Sequence, residues 1–522
     1  MVDHGQANVS GVKHRLSAGQ ATVVLIVVGA AIRVFVAASI GLWNDESYAF
    51  SWARHVSLSY YDHPPMTAWL VALMMHLTGD VGPLVIRLPF ILLFAGTTWL
   101  CFVLGRRLFG AWSGFHAALL MNLSPVFTLS TATCLLPDGP LMFFLLACVW
   151  LLTKVLLAPA PRRPLALWVG VGVTFGLAML SKYLAAFLMF GAGVFLLTRP
   201  DRRRWLAHAG PYVAVLAAAA VFSPVLIWNW QHDWVSFRWQ TSRGQWSGLR
   251  PEWLLLNIGG QAAWLLPWIW GPLVWQLWVC FRAGPADGKR WLIAWLAVGP
   301  IVVFTAVSAW ARIGTLFHWQ MPGYILLFLP LGDAVRRGLE RGRALARWWL
   351  ILAAVFTATA IAGVGSHAVT GWVKSLAPHW PPGKFGSLPD PTVEMLDYTP
   401  LPEALAQRGL LGRKDTFAFT NRWFLAGKVD YALKGRLEVL CLNQKDARAY
   451  AFFHRQEDWL GKDGILVGPR QYLEDPRGTY GPYFDQIIPM GEVEVRRFGR
   501  VEIVLCIYLC RNYRTPFPMP YR

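Results

Sequence analysis

The chain has 522 residues, of which 55% are hydrophobic and only 15% are charged. These proportions exclude an ordinary soluble domain and are typical of a polytopic membrane protein. The formal net charge of +19 is also compatible with nucleic-acid binding, so the positions of the basic residues decide what the charge means.

Apolar runs long enough to cross a bilayer begin directly after a polar N-terminus that ends near Gln20. No small-residue cleavage site follows the first run, so we predict a first helix that is retained. Eleven spans are predicted, at residues 21–41, 84–104, 112–133, 139–157, 165–180, 183–198, 207–228, 253–281, 290–309, 319–335 and 348–369.

Lysine and arginine alternate between the connections that join these spans. The N-terminus and every second connection after it are rich in both residues, whereas the opposite connections hold few. The basic residues of the opposite connections are Arg54, Lys182, Arg238, Arg243, Arg250 and Arg312. By the positive-inside rule, the N-terminus is cytoplasmic and the part after the last span is periplasmic. The positive charge is therefore explained by topology, and no nucleic-acid partner is predicted.

Five polar segments fall on the predicted outer face. They are 44–66 (NDESYAFSWARHVSLSYYDHPPM), CLLPD ending at Asp138, SKY at 181–183, residues 231–246 and residues 311–324. A lipid or oligosaccharide transporter would place polar groups deep in several spans. Polar groups gathered at one interface instead indicate a site that acts on a substrate lying partly in the membrane. The transporter and a non-catalytic assembly or sensor protein are the two alternative interpretations.

The composition changes after the last predicted span. A Pro- and Gly-rich stretch is followed by the alternating segments RLEVLCL, GILVG, VEVRRFGR and VEIVLCIYLC, which predict strands. We therefore predict a membrane module at 1–369, with a periplasmic first loop at 42–83, and a soluble α/β or α+β domain at 370–522. Cys441 either pairs with Cys506 or Cys510, as an oxidising periplasm would permit, or all three are buried thiols.

The outer acidic residues have two interpretations. Asp45, Asp62 and Asp138 each precede a predicted helix, where aspartate is a preferred N-cap. Three such acids on one face, beside Lys182 in a tight hairpin, are more than helix capping requires. A carboxylate in a partly dehydrated cleft can act as a general base or hold a divalent cation. Asp45 and Glu46 are adjacent and point in different directions, so only one is expected at a reacting centre.

An ordered series of short motifs carries a resemblance to a known family. The motifs are DE at 45–46, YYDHPP at 60–65, VIRLP at 85–89, PD at 137–138 and SK at 181–182. Over roughly residues 20 to 330, the chain resembles the glycosyltransferase-C superfamily. Within it, the chain is most similar to the bacterial branch related to protein O-mannosyltransferases and to the aminoarabinose transferase that modifies lipid A.

The resemblance implies roles for individual residues. It implies that Asp45 is the catalytic aspartate, with Glu46 beside it. The lipid A enzymes carry Tyr-Phe-Glu-Lys-Pro where this chain has Tyr61-Asp62-His63-Pro64, so the acid is kept as Asp62 while His63 replaces a lysine. Asp62 and Asp138 match acids that can lie at a divalent metal ion. Tyr61 and His63 are expected to bind substrate.

The resemblance also implies a donor with a phosphate leaving group, for which positive side chains are needed at the interface. The candidates are Arg87, Lys182, Arg312 and His318. Arg87 could equally be a snorkelling anchor, Lys182 a lipid headgroup contact, and the other two part of an aromatic interfacial belt.

The predicted protein is thus an inner-membrane glycosyltransferase with a cytoplasmic N-terminus. It is expected to take a sugar from an undecaprenyl-type phosphate at the periplasmic face, in one inverting step. Asp45 would act as general base if the acceptor is a hydroxyl group. Lipid A or core, polysaccharide, another lipid and protein are all possible acceptors.

Overall fold

The computed structural model describes residues 16–159, 161–311, 317–376, 390–413 and 415–521. The helices of the membrane module are α1 (Ala18–Ser39), α2 (Asn44–Arg54), α3 (Met66–Thr78), α4 (Pro83–Phe109), α5 (Ala111–Asn122), α6 (Asp138–Leu156), α7 (Pro164–Ser181), α8 (Ala186–Thr198), α9 (Ala209–Gln231), α10 (Val235–Arg243), α11 (Pro251–Leu265), α12 (Pro267–Ala283), α13 (Gly288–Val307), α14 (Met321–Glu340) and α15 (Ala344–Thr370).

Each of the eleven predicted apolar runs contains helix, and the predicted polytopic helical fold is confirmed. Among the described residues, seven helices are long and apolar enough to span a membrane, or eight if α11 and α12 form one broken span. These two helices bend by 109° where α12 begins at Pro267. The exact number of eleven spans is not confirmed. α5 has only 12 residues and α8 only 13, and charged residues such as Asp333 and Arg336 lie within α14.

The first outer loop folds into two helices, α2 and α3. The sequence predicted a helix after Asp45 and another after Asp62. The helix-capping interpretation of the three acids is wrong, because no described N-cap hydrogen bond comes from Asp45, Asp62 or Asp138. Instead, the Glu46 carboxylate accepts a hydrogen bond from the backbone N–H of Trp43 (2.9 Å) and closes the start of α2. The three aspartates are therefore available for other contacts.

The C-terminal domain contains a five-stranded mixed sheet. Its helices are α16 (Trp372–Leu376), α17 (Leu401–Gln407), α18 (Trp423–Leu433), α19 (Tyr450–Phe453) and α20 (Pro476–Tyr480), and its strands are β1 (Thr416–Thr420), β2 (Val439–Cys441), β3 (Asp463–Pro469), β4 (Phe484–Arg497) and β5 (Arg500–Tyr513). The strand order is β2-β1-β3-β5-β4, with β1 parallel to β2 and β3, and β5 antiparallel to β3 and β4. The four predicted strands are present, whereas β1 was not predicted.

The order of the strands in the sheet excludes a disulfide between Cys441 and either Cys506 or Cys510. Cys441 lies on β2, whereas Cys506 and Cys510 lie on β5, and β1 and β3 separate the two strands. Three inter-strand steps amount to roughly 14 Å, which is more than twice the usual Cα separation of about 6 Å in a disulfide. All three are buried free thiols.

The C-terminal domain packs on the first outer loop through α18 and α2. The two helices share one hydrophobic core that includes Phe50 of α2 and Val429 of α18. A Cβ atom added to Gly427 would lie only 2.7 Å from the backbone nitrogen of Tyr48. Such close backbone contact, together with the ion pair between Arg54 and Asp430, holds the sheet domain on the end of the membrane module where α2 lies.

Candidate active site

A cavity of about 1750 Å³ lies between the membrane module and the C-terminal domain. All five predicted outer polar segments contribute to its wall. The predicted site residues that line it are Asp45, Asp62, His63, Asp138, Lys182 and His318. Segments up to 273 residues apart in sequence, from Asp45 to His318, thus meet at one surface.

Asp45 lies at the start of α2 with its side chain exposed to the cavity. Among the described residues, no group donates a hydrogen bond to its carboxylate. Burial among protein atoms raises the pKa of Asp45, against the opposing positive charges of Arg448 and His63. A carboxylate whose pKa is raised above the usual aspartate value is suited to act as a general base.

Asp62 is fully buried at the cavity wall and is surrounded by partners. Its carboxylate accepts a hydrogen bond from the Tyr48 hydroxyl (3.2 Å), and Arg448 Nη1 and His63 Nδ1 each lie 3.5 Å from Oδ2. Burial alone would raise the pKa of Asp62, but His63 and Arg448 together hold it below its usual value. Asp62 is therefore a fixed anion that positions Arg448 beside it.

Asp138 and Lys182 form the second charged group of the cavity. Lys182 lies in the hairpin between α7 and α8, and its Nζ is 2.9 Å from both carboxylate oxygens of Asp138. Such a pair holds the ammonium group at a defined point on the wall. His318 lies in the same wall, and burial, together with the charge of Lys182, lowers its pKa to about 4. It is therefore uncharged at neutral pH, unlike the cation that its predicted role in binding phosphate would require.

Glu46 and Arg87 do not reach the cavity. They form a fully buried ion pair with two contacts, Nε to Oε1 (2.9 Å) and Nη2 to Oε2 (2.6 Å). Arg87 also donates to the backbone carbonyls of Ala37, Ile40 and Gly41. All these contacts tie α4 to the end of α1 and the start of α2. Of the predicted acidic pair, only Asp45 faces the cavity.

The two other predicted substrate-binding residues are not brought to the cavity by described contacts. Tyr61 is buried against Tyr521, Phe452 and Trp239, with ring centroids 4.1, 5.7 and 5.4 Å away. Its position is that of a packing contact between the first outer loop, α10 and the C-terminal segment. Arg312 lies outside the described residues.

Sequence reasoning missed two arginines that line the cavity. Arg448 comes from the C-terminal domain, where its guanidinium lies 3.7 Å from the ring centroid of Trp423. Its backbone has a φ of +48°, a strained conformation for a residue with a side chain and one that recurs at functional sites. Arg243, at the end of α10, lies between the rings of Trp239 and Trp319. The Trp- and Arg-rich segment 231–246 was the available signal for Arg243, whereas no sequence motif marks Arg448.

The predicted metal ligands do not fit a divalent cation. Lys182 occupies both oxygens of Asp138, while Tyr48, Arg448 and His63 surround Asp62. In the described part of the chain, neither acid belongs to a group of three donors close enough to share an ion. Metal sites need several converging oxygen or nitrogen ligands that are free of protons and of cations.

The fold is that of a polytopic helical membrane protein whose C-terminal sheet domain packs over the cavity. The structure is similar to that of ArnT from Cupriavidus metallidurans in the apo state, with a TM-score of 0.61 over 94% of this chain and 98% of that one, at 16% identity. ArnT from the same organism bound to undecaprenyl phosphate gives a TM-score of 0.60 over 93% and 97% of the two chains, also at 16% identity. Likeness at this identity shows the shared fold.

Sequence comparisons agree with this class. The family of dolichyl-phosphate-mannose-protein mannosyltransferases matches residues 62–228. The lipid A galacturonosyltransferase RgtD of Rhizobium johnstonii is 29% identical over 289 residues, which are 54% of this chain and 58% of that protein. The chain thus aligns with a little over half the length of this curated relative. The resemblance predicted from the short motifs is confirmed.

Proposed function

We propose that the chain is an integral membrane glycosyltransferase that takes a sugar from a polyprenyl phosphate at the periplasmic face and transfers it to an envelope acceptor. One observation carries the proposal. The carboxylate of Asp45, which accepts no hydrogen bond from any described residue, shares a cavity with three cationic side chains, Lys182, Arg243 and Arg448. This combination supplies a base for an acceptor and positive charge for a phosphate leaving group.

The proposed reaction is a single displacement. An acceptor hydroxyl oxygen forms a bond to the anomeric carbon while the bond from that carbon to the phosphate oxygen breaks, which inverts the anomeric configuration. Asp45 takes the hydroxyl proton, and the polyprenyl phosphate leaves with the bonding electrons. If the acceptor is a phosphate, it is already ionised, and Asp45 orients it. Cations fixed in advance stabilise the charge that grows on the leaving phosphate.

Lys182 is the cation that the geometry favours for this role. The Asp138 carboxylate fixes its position, and its side chain is only 14% exposed, so little reorganisation is needed when charge develops. Arg448 and Arg243 are each stacked on tryptophan rings. Planar guanidinium groups held in this way can donate two hydrogen bonds to one phosphate or carboxylate group.

Lipid A is the acceptor we propose to test first, because the curated relative is named as a lipid A transferase. A donor with an undecaprenyl chain is proposed because ArnT, which has the same fold, binds undecaprenyl phosphate. The sugar can be a galacturonosyl, aminoarabinosyl or hexosyl group, so all three are needed as donors.

The proposal is tested by reconstituting the purified protein in proteoliposomes with radiolabelled undecaprenyl phosphate sugars and lipid A. Label recovered in lipid A, with inverted anomeric configuration, is the expected result. The wild-type protein should transfer the label to lipid A, and the Asp45→Asn variant should not. Asp458→Asn is the matched control, because Asp458 is an exposed aspartate of the C-terminal domain and should leave transfer unchanged.

The transporter interpretation predicts a different outcome in the same vesicles. Donor lipid would change leaflet, without a new glycosidic or glycosyl phosphate bond. Such movement with no labelled product from any donor would contradict the proposed transferase.

A further inference from the structure

A second cluster of functional side chains lies at the opposite end of α2 from Asp45. It consists of His55, which follows the last residue of α2, Glu438, which precedes β2, and His454, which follows α19. One residue thus comes from the first outer loop and two from the C-terminal domain. The ten residues between Asp45 and His55 separate this cluster from Asp45 by about 15 Å of helix. None of its members lines the large cavity.

We propose that His55, Glu438 and His454 bind a divalent transition-metal ion, Zn²⁺ by preference, and so clamp the C-terminal domain onto the first outer loop. The three potential ligand atoms all lie within 4.8 Å of one another. This site goes beyond the proposed glycosyl transfer and does not depend on it.

The distances between these atoms fit metal coordination. Nε2 of His55 lies 3.7 Å from Oε2 of Glu438, and Nε2 of His454 lies 3.5 Å from the same oxygen. Both separations exceed the normal range of an N–H to O hydrogen bond. They are close to the edge of roughly 3.3 Å that a tetrahedral zinc site has when its bonds are about 2.0–2.1 Å long.

Two of the three ligand atoms have no hydrogen-bond partner in the part of the chain that the structure describes. Oε2 of Glu438 and Nε2 of His454 are buried atoms that make no hydrogen bond among the described residues. Arg54 donates to the other carboxylate oxygen, Oε1, at 3.0 Å, so it orients Glu438 and leaves Oε2 free. The charge of Arg54 is itself balanced by Asp430. Two imidazoles and one carboxylate are a common zinc ligand set, with a fourth position for water.

The surroundings hold the two imidazole rings in place. The ring of His55 stacks on Phe453, with centroids 4.5 Å apart, and the ring of His454 lies edge-on to Trp459 at 5.7 Å. An ion at this point would connect elements that are 399 residues apart in sequence, from His55 to His454. Because metal binding favours the assembled state, it should stabilise the docked C-terminal domain.

The test uses full-length protein without a polyhistidine tag, dialysed against chelator and then titrated with Co²⁺ or Zn²⁺. We expect one Co²⁺ per chain, with the visible absorption of a tetrahedral site, and displacement by Zn²⁺. His454→Gln and Glu438→Gln should each weaken binding by at least about 100-fold, since even outer-shell partners of a metal are worth about 10–100-fold in affinity. His76→Gln, a change of an exposed histidine on α3, should bind like wild type.

A readout on the wild-type chain keeps the proposal testable even if the variants fold poorly. Zn²⁺ should raise the thermal unfolding midpoint of the chelator-treated wild-type protein. Equal Co²⁺ binding by wild type and His454→Gln, or no stoichiometric binding and no stabilisation of wild type, would overturn the proposal. Neither result depends on glycosyl transfer, so failure of this site is distinguishable from failure of the proposed enzyme.

Discussion

At the scale of single residues, neighbouring carboxylates have opposite environments. Asp45 faces the cavity and has no hydrogen-bond partner among the residues that the structure describes, whereas Glu46 is buried against Arg87. The sequence predicted that only one of the two would reach the site, because adjacent side chains diverge. The sequence could not predict which one, because Arg87, the ion-pair partner that keeps Glu46 away from the cavity, lies 41 residues away on α4.

The raised pKa of Asp45 leads to a prediction about the pH dependence of transfer. The base form of Asp45 is lost as pH falls through its raised pKa, so the acid limb of kcat/KM should lie above pH 3.8, the ordinary aspartate value. Arg448 lowers this pKa, so Arg448→Gln should move the limb to higher pH. Arg500→Gln, which changes an exposed arginine, is the control. An acid limb that stays in place in Arg448→Gln would contradict this account.

The buried pair of Glu46 and Arg87 is expected to stabilise the fold. Glu46→Gln or Arg87→Met alone leaves one buried charge unpaired, at a cost of about 3–5 kcal/mol. Each single variant should therefore lower the thermal unfolding midpoint in detergent more than the double variant does.

The sequence-based role for Arg87 makes the opposite prediction. If Arg87 binds the donor phosphate, Arg87→Met should unfold like wild type and lose donor affinity. A double-mutant cycle on unfolding, with donor binding measured in parallel, separates the two roles.

Lys182 is predicted to act on the leaving phosphate. Lys182→Met should lower kcat by about 10²–10³-fold, the usual effect of removing one group that stabilises transition-state charge. Lys154→Met is the matched control, because Lys154 lies in the last turn of α6, at the opposite end of that helix from Asp138. An unchanged kcat in Lys182→Met would show that the lysine only binds lipid headgroups.

At the scale of helices and strands, local patterns predicted the existence of elements better than their contacts. Each of the eleven predicted apolar runs contains helix, whereas α3 was not predicted as such a run, and alternation marked four of the five strands. The break at Pro267 and the short α5 lowered the number of complete spans. Arg448 could not be predicted as a site residue, because it meets Asp62 across 386 residues. Only the packing of α18 on α2 and the turn before α19 bring the two together.

The contact between α18 and α2 is tested by Gly427→Ala. The added Cβ would lie 2.7 Å from the backbone nitrogen of Tyr48 and 2.9 Å from the carbonyl carbon of Ser47. Backbone atoms cannot give way without moving a helix, so we expect α18 to shift, the unfolding midpoint to fall and transfer to weaken. Gly365→Ala on α15, where a Cβ meets nothing within 4 Å, is the matched control. Wild-type transfer and stability in Gly427→Ala would show that this close contact does not matter.

At the scale of the whole molecule, the cavity belongs to neither module alone. The membrane module contributes Asp45 and the Asp138–Lys182 pair, and the C-terminal domain contributes Arg448. The alternation of Lys and Arg between successive connections, together with the five polar segments, predicted the half of this site that the membrane module contributes. The C-terminal domain contributes the other half, and no motif in its sequence marks Arg448 as a site residue. Only the tertiary structure shows that Arg448 lines the cavity.

The most direct test of the central claim compares donor binding and single-turnover transfer in wild type and Asp45→Asn. We expect both proteins to bind the undecaprenyl phosphate sugar equally, while the transfer rate to a hydroxyl acceptor falls by at least about 10²-fold in the variant, as for loss of a general base. Transfer by Asp45→Asn at the wild-type rate would contradict the account.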